Sequence, residues 1–309
     1  MSIELLRDII KKNKFPITFE PDSPKGISIE EKFPKKIIRK ISAFGVYNNP
    51  RGRPKLDPFV YGWMLKEKYK KDVIVNVRIQ DYSIPLFQSI LWGGHLLGLR
   101  NLLIITGDYY PGSPFLIDVT EGLTAVKDYL NNGYIIPELN GKARRYYNRL
   151  KEKKYIKREN KVIDGKTDYF VGAALIPTRK KEIEIYKKKI DAGAQFFITQ
   201  LTYDSKTVTD FIEKVDPSVP ILVGSGPITS LKRLEFFKKQ LGIPGLSDGI
   251  ARILREAKDM GEKSVEICVE MYQNLRDFAK SNGYTIGAHV MSIKYPSLAA
   301  KIIEEIAKL

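Results

Sequence analysis

VIVNVRIQDYSIPLFQSILWGGHLLGLRNLLIIT, residues 73–106, reads as strand, helix and strand in succession. VIVNVRI (73–79) and NLLIIT (101–106) are short apolar runs bounded by polar or turn residues, the pattern of strands buried on both faces. Between them, SIPLFQSILWGGHLLGL has the length and apolar spacing of a helix. Two such strands joined through a helix make a crossover unit, so the stretch predicts parallel pairing.

The alternation continues in both directions. Upstream lie the extended runs FPITFEP (15–21) and ISAFGVY (41–47), with a helical ISIEEKFPKKIIRKI between them that Pro34 interrupts. DPFVYGWMLKEKYKK then starts a helix, with Asp57 as N-cap and Pro58 at the first helical position. Downstream, a helix over EGLTAVKDYLNN precedes the strands DYFVGAALIP (168–177), AQFFITQLTY (194–203), VPILVGSGP (219–227) and YTIGAHVM (284–291). Helical sequence separates each strand from the next, and YPSLAAKIIEEIAKL closes the chain. Eight alternating units in 309 residues predict an α/β protein of the (β/α)8 TIM-barrel type. A doubly wound open sheet competes, but no G-x-G-x-x-G follows the first strand. With no linker rich in Gly, Ser or Pro, residues 1–309 are expected to form one domain. Residues 133–168 exceed a usual connection and predict an elaborated loop before the fifth strand.

Composition narrows the function classes. No apolar run reaches the roughly 18 residues of a membrane span. MSIELLRDIIKKNKFP lacks the basic and apolar regions of a leader, which gives the expectation of a mature cytoplasmic N-terminus. A single cysteine, Cys268, excludes an internal disulfide, and with only His95 and His289 no metal site is expected. Cys268 falls on the apolar face of a helical pattern with Val265, Tyr272 and Leu275, a core position. The net charge of +16 invites nucleic acid, yet the lysines are scattered along the chain rather than gathered in one arm. The alternative to an enzyme is therefore a basic barrel that binds nucleic acid or a protein partner without redox activity. RRYYNRLKEKKYIKR (144–158), where aromatics interleave with cations, is its best sequence. Abundant Lys and Ile with few Cys, His and Gln suit a heat-adapted, thermophilic protein.

In a barrel of this kind the C-terminal strand ends line the active site, so polar residues there are the candidates. Glu20 ends ITFE, Asp108 follows IITG, Gln200 follows FFIT, and a Gly-rich turn from Gly224 to Pro227 follows PILV. His289, near the end of the eighth strand, faces the same mouth. His95, on a helix among large apolar residues, reads as a half-buried histidine.

TGDYYPG, KKKIDAGAQFFITQLTYD and PILVGSGPITSLKRLEFFKK resemble, in order and spacing, three distinctive segments of the flavin-dependent methylenetetrahydrofolate reductase family. TFEPDSPKG resembles its first strand, and DGKTDYFVGAALIP and GYTIGAHVMSIKYP resemble its fifth and eighth. The resemblance implies a (β/α)8 barrel holding FAD, with FMN or no tightly bound flavin as alternatives, and NADH or NADPH as electron donor. It implies reduction of 5,10-methylenetetrahydrofolate, or a related methylene-tetrahydropterin, to the 5-methyl form, a step of one-carbon metabolism leading to methionine. Carried over by position, Glu20 is the general acid, Asp108 lies near flavin and pterin, and Gln200 orients the pterin. Leu231 stands where the family has a substrate-contacting aromatic. Thr106, Gly107, Ala174 and Arg179 occupy flavin-binding positions. Thr106 replaces the family's arginine, and Arg78, Arg179 or a lysine of residues 133–168 is the expected substitute cation. A homo-oligomer is expected, and some short members of the family work with a partner subunit.

Overall fold

A computed structural model of the chain describes residues 3–12, 15–30, 33–107, 117–136, 162–243 and 245–309. Eight parallel strands close into a barrel: β1 (Ile17–Glu20), β2 (Ala43–Val46), β3 (Asp72–Arg78), β4 (Asn101–Ile105), β5 (Phe170–Leu175), β6 (Phe196–Leu201), β7 (Ile221–Ser225) and β8 (Ile286–Met291). Each strand pairs with its neighbour in the chain, and β8 returns to β1 with Thr18 opposite His289 and Glu20 opposite Met291. Seven strands fall within the runs read from the sequence, and β3 starts one residue earlier, at Asp72. Asp108, together with residues 137–161 of the elaboration and the basic stretch 144–158, lies outside the described residues.

The described helices are α1 (Leu6–Lys12), α2 (Pro58–Tyr69), α3 (Ile84–Leu96), α4 (Val119–Thr124), α5 (Glu182–Asp191), α6 (Ser205–Val215), α7 (Leu231–Glu235), α8 (Asp248–Glu256), α9 (Met260–Asn282) and α10 (Pro296–Ile306). Asp57 caps α2 by accepting the Phe59 and Val60 amides, with Pro58 at its first position, as the sequence predicts. The helix expected over 27–41 is reduced to a 3-10 turn, Lys35–Arg39, because Pro34 sits extended before it and supplies no side-chain cap. Among the described residues, no helix is long and apolar enough to cross a membrane.

Side chains alternate between two cores. Outward residues such as Phe19, Phe44, Val73, Val75 and Val77 pack under the helices. Ala43, Ile74, Leu103, Phe196, Ile198 and Leu222 fill the lumen. The floor of the lumen is corked by α1, whose Leu6 and Ile10 join that inner cluster. Burying two such side chains stabilises the docked helix by roughly 3–6 kcal/mol. Asp72, fully buried at the start of β3, receives the Leu6 amide at 2.8 Å and the Asn101 side chain at 2.8 Å, with Lys66 Nζ 3.3 Å away. A carboxylate thus meets the positive end of α1. Arg7 holds Asp168 through a fork of two hydrogen bonds and ties α1 to the entry of β5. With the floor sealed, the open end of the barrel is the one where the strands finish.

The described ends of the elaboration meet below β5. Tyr134 bridges Val162, and the Ile163 amide donates to the Gly133 carbonyl at 3.0 Å. Cys268 is buried in α9, where burial pushes its thiol up to about 12 and leaves it a core residue.

Candidate active site

Glu20 is 8 % exposed and projects from the last position of β1 into the mouth. His289 on the adjacent β8 is buried, with Nε2 3.5 Å from Glu20 Oε2, the spacing of a charge pair rather than of a formed hydrogen bond. Its other nitrogen, Nδ1, lies 2.8 Å from Thr18 Oγ1, and that hydroxyl donates to the Ala288 carbonyl at 3.1 Å. One proton assignment satisfies both contacts: with the Thr18 proton on Ala288, Nδ1 donates to Thr18. Nε2 then turns its lone pair toward Glu20. A proton on the Glu20 carboxyl therefore has an acceptor beside it, and a carboxylate left after proton donation has an imidazole able to become cationic. Thr18, His289 and Glu20 form one line across the β1–β8 seam.

That line depends on a glycine. A Cβ built on Gly45 of β2 would stand 2.7 Å from His289 Cε1 and 3.4 Å from Glu20 Cβ. On the far side of Glu20, the Tyr47 phenol accepts the Ser23 amide at 2.9 Å. Burial, then the charges of Asp22 and Glu20, push the phenol pKa upward, so Tyr47 stays neutral.

The remaining candidates divide by surroundings. Gln200 sits half-buried at the end of β6, where the pairing with β7 is irregular between Ile198 and Leu201. Thr199 holds the irregularity by accepting the Gly224 amide at 2.8 Å and donating to the Gln200 carbonyl at 2.7 Å. Leu231 opens α7 and is 55 % exposed, so it does not pack into the core. Thr106 is exposed and Ala174 half-buried at the ends of β4 and β5. Arg78, by contrast, is buried: its guanidinium donates to the Asn49 carbonyl and lies 3.5 Å from Asp81. Gly107, at φ 84°, makes way for it, since a Cβ there would overlap the Arg78 side chain. Arg179 is engaged with Glu182, which also receives the Ile176 amide at 3.0 Å. His95 lies half-buried on α3, with its ring edge-on to Tyr169 and its pKa lowered by burial first and Arg100 second. Among the described residues, no group of three or more His, Cys, Asp or Glu is placed to hold a metal.

Sequence reasoning missed Thr18, Gly45 and Tyr47. Thr18 and Tyr47 carry a signal in retrospect, since Thr18 is two residues from the strand-end carboxyl Glu20 and Tyr47 directly follows β2. Gly45 carries none without its neighbours in space.

Fold and site define a class: a closed (β/α)8 barrel that gathers a carboxyl and an imidazole where its strands end. Within that class, the family model described as "Methylenetetrahydrofolate reductase" matches residues 154–307. Over those residues the chain is similar to the methylenetetrahydrofolate reductase family. A probable methylenetetrahydrofolate reductase (NADPH) of Caenorhabditis elegans is 25% identical over 243 residues, covering 76% of this chain and 32% of the relative. Methylenetetrahydrofolate reductase 2 of Saccharomyces cerevisiae is 27% identical over 263 residues, covering 74% of this chain and 43% of the relative. The chain thus spans between about a third and somewhat under half of the length of these curated relatives. A solved structure of an uncharacterized protein from Clostridium thermocellum, described as binding two copies of 5-methyl-5,6,7,8-tetrahydrofolic acid, superposes with a TM-score of 0.64 at 20% identity. It covers 99% of each chain, a likeness of fold.

Proposed function

We propose that this barrel is a methylenetetrahydrofolate-type reductase, which converts a methylene-bearing tetrahydropterin to its methyl form with electrons from NADH or NADPH. The observation that carries the reading is the Thr18–His289–Glu20 line at the mouth. Reductive opening of the methylene bridge needs a proton on the departing ring nitrogen as its C–N bond breaks, leaving an iminium carbon to accept hydride. Glu20 is the buried carboxyl in place to give that proton, and His289 Nε2, on taking a proton from solvent, would pair with the carboxylate that remains. Gln200 and, outside the described residues, Asp108 are assigned to orient the pterin. The family likeness supports the reaction class, and the folate bound by the Clostridium thermocellum protein supports the ligand class.

Flavin is the hydride carrier that the family implies. Its phosphates call for cations, yet Arg78 and Arg179 are both engaged within the protein. Gly107 offers no cradle, because Arg78 fills the space over it. The described residues do not fit a flavin held through these positions, and no step is assigned to it. Absorbance of the purified protein near ~450 nm tests for bound flavin directly.

Methyl-pterin formation, followed by mass spectrometry with each nicotinamide in turn, tests the reading. Glu20→Gln is expected to reduce it by roughly 10²–10⁴-fold while binding of the methyl product is kept. Unchanged turnover in that variant would remove Glu20 as the acid.

A further inference from the structure

The helix that packs on β7 is α9, whose Tyr272 hydroxyl donates to the Val223 carbonyl at 2.7 Å. Residues 231–256 are therefore inserted between β7 and its barrel helix, on the side where the strands finish. This insertion is tied to neighbouring strand ends. Arg233 donates to the Ile293 carbonyl after β8 and lies 4.7 Å from the centre of the Tyr295 ring, while Gln200 reaches the Leu241 carbonyl at 3.5 Å. Three residues beyond Arg233, on the same helical face, Phe236 opens a wide π-helical turn, Phe236–Gln240, of a kind frequent at functional sites. The Arg51 guanidinium stands over the Phe236 ring, 5.0 Å from its centre.

Arg51 belongs to the loop after β2. In the closed sheet β2 and β7 are separated, on their shorter side, by β1 and β8, so this contact spans the strands that carry Glu20 and His289. The loop is rooted at both ends: Arg78 donates to the Asn49 carbonyl, Asn49 Oδ1 accepts the Lys55 amide at 2.9 Å, and the Leu56 amide donates to the Pro24 carbonyl at 2.9 Å. Its tip is exposed at Pro50, Arg51, Arg53 and Pro54. The backbone there is left-handed at Asn49 (φ 37°), Arg51 (φ 57°) and Gly52 (φ 67°), and two of these three lack the freedom of glycine. Such strain persists where the surroundings impose it, and it gathers at ligand clamps and switches. An exposed cation–π contact shifts a two-state population only about two- to fivefold. Firm roots, a strained tip and a weak hold across the mouth are the parts of a closure that opens.

We propose that residues 47–56 form a strap, latched by Arg51 on Phe236, that shuts over the Glu20–His289 pair when a reactant is bound. A shut strap keeps bulk water from the proton donor and from the iminium carbon. The reactant's identity rests on the reductase reading, whereas the latch rests on the contact alone.

Trypsin reads the latch, because its specificity pocket must take the Arg51 side chain before the bond to Gly52 is cut. Initial cleavage of that bond in the full chain is followed by mass spectrometry for the wild type, Phe236→Leu and Phe236→Trp. Leucine keeps apolar bulk without a π face, and tryptophan offers a stronger one. Cleavage after Lys280, an exposed residue of α9, serves as the reference, so that general loosening of the fold cancels. Relative to wild type, the leucine variant is expected to be cut after Arg51 about two- to fivefold faster and the tryptophan variant more slowly. Equal rates in all three proteins overturn the latch. If leucine loosens the fold, a tryptophan variant cut no more slowly than wild type overturns it as well. Saturation with 5-methyl-5,6,7,8-tetrahydrofolic acid, its binding followed by equilibrium dialysis, is expected to slow wild-type cleavage after Arg51 about tenfold or more. Bound ligand with unchanged cleavage overturns closure over the reactant. Absence of binding removes the pterin reading instead, and the ligand-free rates still decide the latch.

Discussion

Gly45 sets the position of the imidazole, because His289 occupies the volume where any larger residue of β2 would begin. Gly45→Ala places a methyl group 2.7 Å from Cε1, inside normal contact, and must tilt the ring away from Glu20. Turnover is expected to fall about tenfold to a hundredfold, as misplacements near 1 Å do, with KM little changed. Steady-state kinetics beside a melting curve check this, and wild-type turnover in a folded variant would take His289 out of the reaction. Glu20 and His289 were each legible as polar residues at strand ends. Their partnership was not, since one residue stands near each terminus and only closure of the sheet makes them neighbours. Arg78 was misleading for a related reason: its charge reads as an available cation, while its burial depends on Asn49 from the loop after β2 and on the space above Gly107, as well as on nearby Asp81.

The elements were legible where their signals are local. Asp57 caps α2 by accepting the Phe59 and Val60 amides, an assignment that a side chain two and three residues from its targets settles by itself. The role of α1 was not legible, because its short apolar face reads the same whether it lies on solvent or corks a barrel. Within α5, Lys189 is equally hidden in the sequence: it looks like one of a run of lysines, yet it is buried with Nζ 2.6 Å from the Ala174 carbonyl. Burial brings its pKa down from 10.5 to about 8, against the pull of Glu182 and with a smaller push from Arg179. The sign follows from linkage. Below pH 8 both folded and unfolded chains carry the proton, and the folded state bears the full cost of a buried charge. Between 8 and 10.5 the unfolded chain binds more protons, so stability from this group rises with pH. Denaturant unfolding at pH 7.5 and 9.5 is expected to show the wild type gaining roughly 2 kcal/mol relative to Lys189→Met across that interval. A constant difference between the two proteins would show that Lys189 is charged throughout.

At the level of the whole barrel, strict alternation made the fold legible from periodicity alone, and each of the eight strands overlaps its predicted run, β3 starting one residue early. Closure itself joins residues about as far apart as the chain allows, for Thr18 contacts Ala288 across 270 positions. Contacts of that separation form late, because the entropy of the intervening loop opposes them until the rest of the sheet is in place. Refolding from denaturant should therefore recover helix and strand signal in far-ultraviolet circular dichroism before it recovers methyl-pterin formation. Simultaneous recovery would mean that β1 and β8 meet early. The seam thus acts as a gate in time: a nascent or damaged barrel that has not joined its two ends holds a carboxyl and an imidazole on separate strands, and proton transfer begins only when the ring shuts.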